Sequence, residues 1–274
     1  MYLEHWQLAD KPFEPAADER FYFASQTHQG AMLKLRYALE NGRGAALIAG
    51  PSGVGKTLLV EQLLAQLPAS FVPVVHLVYP QMPAREMLAY LAARIAPNED
   101  PQGLTPSVDQ SWRRLEESLQ GAAERDERPV VVVDEAHLLE DAGTLETVRL
   151  LLNLQQHGSP LLSIVMVGQP PLLSTLSRTP RLEERLDISA LVEPLTVDET
   201  ASYLQHRLAA AGAERNVLTD GAVDTLHQLA HGVPRRLNRL GDLALLVGYA
   251  NGASMVDTEL VRSVANELAF ARAA

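Results

Sequence analysis

"AALIAGPSGVGKTLLVEQLLAQL" occupies residues 45–67, and its reading decides the fold. The opening apolar run has the length of a buried strand, and the closing stretch carries helical spacing. Between them "GPSGVGKT" (50–57) fits Gly-x-x-x-x-Gly-Lys-Ser/Thr, a loop that cradles phosphates when a strand precedes it and a helix follows. Gly50 and Gly55 permit the tight turn, with Pro51 inside it. The amides of Ser52, Gly53, Val54, Gly55 and Lys56 can aim at phosphate oxygens. Lys56 is placed to reach the β and γ phosphates of ATP, and the Thr57 hydroxyl to bind Mg²⁺.

Outward from this loop, short apolar runs alternate with helical patterns. "AALIAG" (45–50), "FVPVVHLV" (71–78), "PVVVVDE" (129–135), "SIVMVGQ" (163–169) and "DISALVE" (187–193) read as buried strands. Their nearly continuous apolar character suits parallel strands covered on both faces. Helices are expected over 56–67, 84–95, 108–124 and 144–157, with surface connections at 96–106 and 121–129. Such alternation predicts an α/β, doubly wound, parallel five-stranded sheet of the P-loop NTPase kind. After "EPLT" (193–196) the strands stop. Thr196 and Glu199 form a capping box that opens a helix through about Ala211, and further helices are expected at 220–230, 234–250 and 257–271. The expected organisation is an α/β nucleotide-binding domain over 1–194 and a small all-helical lid over 195–274. Tyr2, Trp6, Phe13, Phe21, Tyr22 and Phe23 make six of the chain's 14 aromatics, too many for a floppy tail. They read as a strap packed across the α/β core, whose C-terminal end is also a candidate for an adenine pocket.

"VVVVDEAH" (130–137) is the partner that the phosphate loop requires. A central strand delivers two carboxylates to the sheet's C-terminal edge, where ligands bind in such folds. Asp134 would hold Mg²⁺, and Glu135 would polarise the attacking water. "SIVMVGQPPL" (163–172) ends at the same edge, so Gln169 can orient that water. "SRTPRLEERLDI" (177–188) carries Arg178, Arg181 and Arg185 before the fifth strand. One of these guanidiniums, Arg185 first and Arg181 second, is a candidate to act in a neighbouring subunit's site during phosphoryl transfer. "HGVPRRLNRLGD" (231–242) opens a lid helix in which Arg235 can sense the γ-phosphate, beside Arg236 and Arg239.

Composition narrows the functions. The net charge is −11, which argues against bulk electrostatic coating of nucleic acid. The lid has seven basic and nine acidic residues, so its three arginines read as nucleotide sensing and salt bridging before a DNA-backbone patch. Only Lys11, Lys34 and Lys56 are lysines, and one of the three stands in the phosphate loop. There is no cysteine, so disulfides and thiolate metal sites are excluded. The opening "MYLEHWQLADKPF" has no apolar h-region, and no run reaches the roughly 18 apolar residues of a membrane span. The expectation is a cytoplasmic protein without membrane insertion, at most peripheral at an inner membrane. The letters Asp-Glu-Ala-His also name a helicase class, but a second RecA-like domain is missing.

These pieces in this order resemble AAA+ ATPases. More narrowly, "MYLEHWQLADKPFE", "FYFASQTHQGAMLKLRYAL", "VVVVDEAHLL", "VGQPPL", "GVPRRLN" and "ALLVGYA" resemble the ExeA/GspA-like secretion ATPases and the related MSHA pilus-biogenesis ATPases of the MshM type. The likeness covers essentially the whole chain. It implies that Lys56 and Thr57 are Walker A residues, Asp134 and Glu135 Walker B, Gln169 sensor 1 and Arg235 sensor 2. It implies an ATP-dependent homo-oligomer, for which a hexamer is one candidate size, with a protein partner in an inner-membrane secretion or pilus assembly. Larger members continue into a transmembrane helix and a peptidoglycan-binding domain. This sequence stops at its lid, so any action on the cell wall is expected of a partner. Two other classes stay open: a DNA-assembling transposition regulator of the TniB/TnsC type, and a switch that only binds nucleotide. The acidic balance weighs against the first and Glu135 against the second.

Overall fold

The computed structural model describes residues 2–14, 18–96, 106–139, 141–186 and 188–273, with side chains described to Leu268. Most of the expected 96–106 connection and the first residue of the expected fifth strand, Asp187, lie outside them. In chain order the elements are α1 (Tyr2–Trp6), α2 (Gln26–Glu40), β1 (Ala45–Ala49), α3 (Lys56–Gln66), β2 (Val74–Leu77), α4 (Ala84–Ile95), α5 (Val108–Glu124) and β3 (Val130–Val133). They continue with α6 (Ala142–Leu151), β4 (Gln155–Gln156), β5 (Ser159–Pro160), β6 (Ser163–Gly168), α7 (Pro171–Ser177), α8 (Pro180–Glu183) and β7 (Ile188–Leu191). Four helices close the chain: α9 (Val197–Ala210), α10 (Asp220–Ala230), α11 (Pro234–Ala250) and α12 (Thr258–Ala273).

The chain divides into two compact units. One comprises residues 27–52 and 56–192; the other comprises 1–26, 53–55 and 193–274.

The first unit is the expected α/β sheet. Its five strands run in the order β2-β3-β6-β1-β7, every pair parallel. The three central strands are buried along their whole length, which is why their sequences are unbroken apolar runs. The edge strands differ from the expectation of fully buried strands. In β2, Val74 and His76 are exposed while Val75 and Leu77 are buried, and in β7 Ser189 and Leu191 are exposed. In each edge strand one face is left uncovered, so with side chains pointing to alternate faces the pattern falls back to alternation. Helix α6 also ends at Leu151, six residues before its expected end at 157. The rest of the stretch forms the antiparallel β4–β5 hairpin, turned by His157 (φ 53°) and Gly158 (φ 81°). Two successive positive φ values make the tight turn that matches strand twist, and a helical reading cannot contain it.

The second unit is helical, and it corrects the reading of the N-terminal strap. Tyr2, Trp6, Phe13 and Phe21 fall in this unit and not in the α/β one. They belong to the core built from α9–α12 with Leu204, Leu226, Leu237 and Leu245. The indole of Trp6 is fully buried, and its Nε1–H donates to the Leu245 carbonyl at 2.9 Å. A Cβ on Gly248 would lie 2.8 Å from Trp6 Cζ2, and one on Gly241 would lie 2.7 Å from Phe13 Cε2. The two glycines are seven apart on α11, hence on one helix face, and each leaves room for one ring. Arg207, on α9, is 5% exposed and donates to the carbonyls of Pro12 at 2.5 Å and Glu14 at 2.6 Å. Its guanidinium also stands 4.8 Å from the Phe21 ring centroid. Burial holds its pKa below the usual arginine value. A helical unit this small enlarges its core by taking in the N-terminal aromatics, which periodicity along the chain cannot reveal. The capping box stands as expected, with Thr196 Oγ1 accepting from Glu199 N and Glu199 Oε2 accepting from Thr196 N. Among the described residues, no helix is long and apolar enough to cross a membrane.

Candidate functional site

Strands β3, β6 and β1 are consecutive neighbours and all parallel, so their C-terminal ends reach one edge together. The register pairs Val133 with Met166 and Ala49 with Gly168. Asp134, Gln169 and Gly50 each follow one of these strands by one residue. The amide of Gly50 donates to the Gly168 carbonyl at 3.2 Å, which ties the start of the phosphate loop to the strand that ends in Gln169.

Beyond Gly50 the chain turns through Gly53 (φ 84°) and Gly55 (φ 100°), conformations that L side chains rarely adopt. Helix α3 begins at Lys56. The Lys56 ammonium, 9% exposed, donates to the carbonyls of Gly50 at 2.8 Å and Pro51 at 2.9 Å. A lysine on the loop's own carbonyls is pre-placed at the mouth of the turn, where a phosphate chain would lie. Thr57 Oγ1 donates to Asp134 Oδ2 at 3.2 Å. Asp134 Oδ1 accepts from the amide of Glu135 at 2.8 Å. Glu135 itself sits in the left-handed region at φ 48° and ψ 35°. That conformation turns the chain sharply off β3 into a short 3₁₀ turn, Ala136–Leu138, and lifts the Glu135 side chain toward solvent.

The next residue outward was not singled out from the sequence. His137 Nδ1 stands 3.2 Å from Glu135 Oε2, and its Nε2 stands 3.1 Å from Gln169 Nε2. The only signal for it is its place in "DEAH", since a histidine two residues past a carboxylate is common in any turn. In the helical unit, which includes Gly53–Gly55, the amide of Arg235 donates to the Gly53 carbonyl at 3.2 Å. A Cβ on Gly53 would stand 2.8 Å from Arg235 Cβ, so glycine there admits the first turn of α11. Val54 is buried. Arg236 and Arg239 are exposed, as is Arg235.

Arg178, Arg181 and Arg185 are all exposed. Arg178 caps α7, Arg181 lies in α8 and Arg185 follows it. The Glu146 carboxyl is held below the usual range, first by its hydrogen bond to Arg149 and, least, by the charge of Arg181.

Thr57 and Asp134 form a pair of hard oxygen donors. Among the described residues no group of three or more His, Cys, Asp or Glu side chains could hold a metal ion. That set suits Mg²⁺ held by one or two protein oxygens, waters and phosphate, and does not suit an all-protein cage. Held by Thr57 and Asp134, Mg²⁺ would supply positive charge against that of a bound phosphate chain.

A family model described as an AAA domain matches residues 39–176. The match holds the phosphate loop, both carboxylates after β3 and Gln169, and it spans half of the chain.

The chain belongs to the AAA family of ATPases. It is 33% identical over 261 residues to general secretion pathway protein A of Aeromonas hydrophila, covering 93% of this chain and 46% of that protein. The ExeA/GspA resemblance carried by the sequence motifs therefore stands, and the chain spans about half the length of that relative. Among solved structures, Cdc6p of Pyrobaculum aerophilum superposes with a TM-score of 0.74 at 20% identity, covering 95% of this chain and 71% of that one. The ORC1 protein of Aeropyrum pernix, in complex with DNA, gives 0.65 at 21% identity, covering 94% and 68%. At such identities the two share this chain's α/β P-loop fold, and that is all the likeness shows.

Proposed function

We propose that this AAA+ ATPase hydrolyses ATP to drive or regulate assembly of an envelope secretion or pilus-type complex, acting as an ATP-dependent homo-oligomer. The observation that carries the hydrolytic part is the meeting of Thr57, Asp134, Glu135 and Gln169 at one sheet edge beside Lys56. The similarity to general secretion pathway protein A supports the secretion part.

In this reading the loop amides and Lys56 bind the phosphates, and Thr57 with Asp134 would hold Mg²⁺. Glu135 accepts a proton from water as its oxygen attacks the γ-phosphorus, the β–γ bridging bond breaks, and ADP leaves with phosphate as the second product. Gln169 orients the attacking water. Arg185 of a neighbouring copy stabilises the charge that develops, an effect worth about three to five orders of magnitude in rate. Arg235, whose amide donates to the Gly53 carbonyl, is the sensor of the γ-phosphate in this reading.

The test is expression of the Glu135→Gln protein in the native host beside the wild type, reading secreted or surface-assembled protein outside the cell. Dominant loss of that protein is expected, with duplex DNA bound no tighter than the ~10⁻⁴–10⁻⁶ M of non-specific contacts at physiological salt. Normal secretion and piliation, together with nanomolar ATP-dependent filaments on DNA, would replace this role with that of a DNA-assembling regulator.

A further inference from the structure

The imidazole of His137 joins two groups assigned separate duties above. Its Nδ1 lies 3.2 Å from Glu135 Oε2, and its Nε2 lies 3.1 Å from the Gln169 side-chain nitrogen. The Gln169 backbone N–H is also directed at Nδ1, at 3.4 Å, the longest of the three contacts. Nδ1 cannot donate to the carboxylate and accept from the amide at once. The carboxylate contact is shorter and charge-assisted, so the proton belongs on Nδ1 and Nε2 is left as an acceptor for the Gln169 NH₂. One tautomer then satisfies both ends of the ring.

The setting holds the ring in place. The His137 side chain is 14% exposed, against 50% for Glu135. Its backbone lies in the 3₁₀ turn closed by Leu138 N to Glu135 O at 2.8 Å and Leu139 N to Ala136 O at 3.1 Å. That turn rests on the end of β6: a Cβ at Gly168 would stand 3.2 Å from His137 N and 2.6 Å from Leu172 Cδ2. An enclosed ring on a pinned turn is stiff, whereas a half-exposed glutamate has free rotamers unless something holds it.

We infer that His137 is a positioning residue for hydrolysis: it orients the Glu135 carboxylate through Nδ1–H and ties that orientation to Gln169 through Nε2. One carboxylate oxygen is held, and the other is left to take the proton of the attacking water. A displacement of Gln169 by the γ-phosphate side of the site is passed to Glu135 through a single rigid ring. This rests on the reading of Glu135 as the base.

The experiment measures kcat and KM for ATP, with nucleotide affinity measured separately, in His137→Ala, His137→Asn, His137→Gln and Gln169→Ala proteins and in the His137→Ala/Gln169→Ala double variant. His137→Ala should lower kcat roughly ten-fold or more while KM and nucleotide affinity stay within about two-fold, because only the chemical step uses the contact. Asn places an NH₂ near the position of Nδ1 and should recover more kcat than Gln, whose amide falls near Nε2. The double variant should be no slower than the slower single one, since both act through one link. Unchanged kcat in His137→Ala would overturn the inference. So would equal losses in all three His137 variants accompanied by lost nucleotide affinity, which mark a merely structural ring. Normal turnover by Glu135→Gln would instead refute the base assignment, whatever the His137 variants do.

Discussion

Thr57 Oγ1 donates to Asp134 Oδ2 across 3.2 Å, joining the first turn of α3 to the end of β3. These residues are far apart in the chain, and the parallel order β3-β6-β1 brings them together. In the proposed mechanism Lys56 serves binding and Glu135 hydrolysis, so the two are expected to separate by mutation. Lys56→Ala should abolish or nearly abolish ATP binding, while Glu135→Gln should bind ATP and fail to turn it over. Equilibrium binding of a fluorescent ATP analogue beside phosphate-release kinetics reads both. Wild-type affinity in Lys56→Ala would refute the first expectation.

Arg185 is exposed, as a residue working in a neighbour's site must be. Specific activity of the wild type should then rise with protein concentration, and Arg185→Ala should lose turnover with ATP affinity within a few-fold. Mixing it with Glu135→Gln should restore partial activity, since some interfaces then pair an intact arginine with an intact glutamate. Activity flat across concentration, with no rescue at any ratio, would show a monomeric enzyme.

Arg207 is the clamp of the N-terminal segment. Truncation to Ala removes the donors of the Pro12 and Glu14 carbonyls and the packing of a 5%-exposed side chain. The expected cost is about 2–4 kcal/mol of stability in the helical unit, from orphaned acceptors plus lost stem contacts. Denaturant unfolding followed by tryptophan fluorescence in a Trp112→Phe background, which leaves Trp6 as the reporter, measures it, and a loss under about 0.5 kcal/mol would mean that the carbonyls find water instead.

Two helical glycines should respond in opposite directions to the same substitution. Gly30, exposed within α2, has nothing within 4 Å of the place an added methyl would take, so Gly30→Ala should stabilise by about 0.5–1 kcal/mol. Gly248→Ala gains the same propensity but drives a methyl to 2.8 Å from Trp6 Cζ2, and overpacking costs about 1–3 kcal/mol. The net for Gly248→Ala should be destabilising, and thermal melts of the two variants decide the signs.

Tyr2 donates to Asp242 Oδ1 at 2.6 Å, and burial first, then that bond and the charges of Asp242 and Glu14, pushes its pKa well above the usual tyrosine value. A pKa raised in the folded state means that the unfolded chain releases the proton first, near pH 10. Stability from this group is complete below about pH 10 and declines as pH rises toward the folded value. Burial moves Tyr22 and Tyr203 in the same direction, so the alkaline loss is shared. Tyr2→Phe should flatten the decline above pH 10 without removing it; an identical pH profile would show that Tyr2 ionises freely in the folded protein.

The residues of the phosphate loop, the Asp-Glu pair after β3 and the strand–helix alternation were legible in the sequence because each is a local pattern: a glycine spacing, an apolar run, a change of period. Local patterns also placed the α10 and α11 helices. What they could not carry was every relationship that depends on which elements become neighbours. The N-terminal aromatics read as a strap on the sheet, yet they enter the helical core, because Gly241 and Gly248 open two ring-sized gaps on one face of α11 and Arg207 gathers the segment's carbonyls. The edge strands β2 and β7 lost the full burial expected of them, since only the sheet order tells an edge from a centre. His137 became meaningful only when β6 was laid beside β3, which set Gln169 on the far side of its ring. Sequence determined the parts and the chemistry of the loop by short-range sterics and periodicity. Tertiary structure decided who touches whom, because packing contacts are set by strand order and by the space that glycines leave, and neither is written in the spacing of residues along the chain.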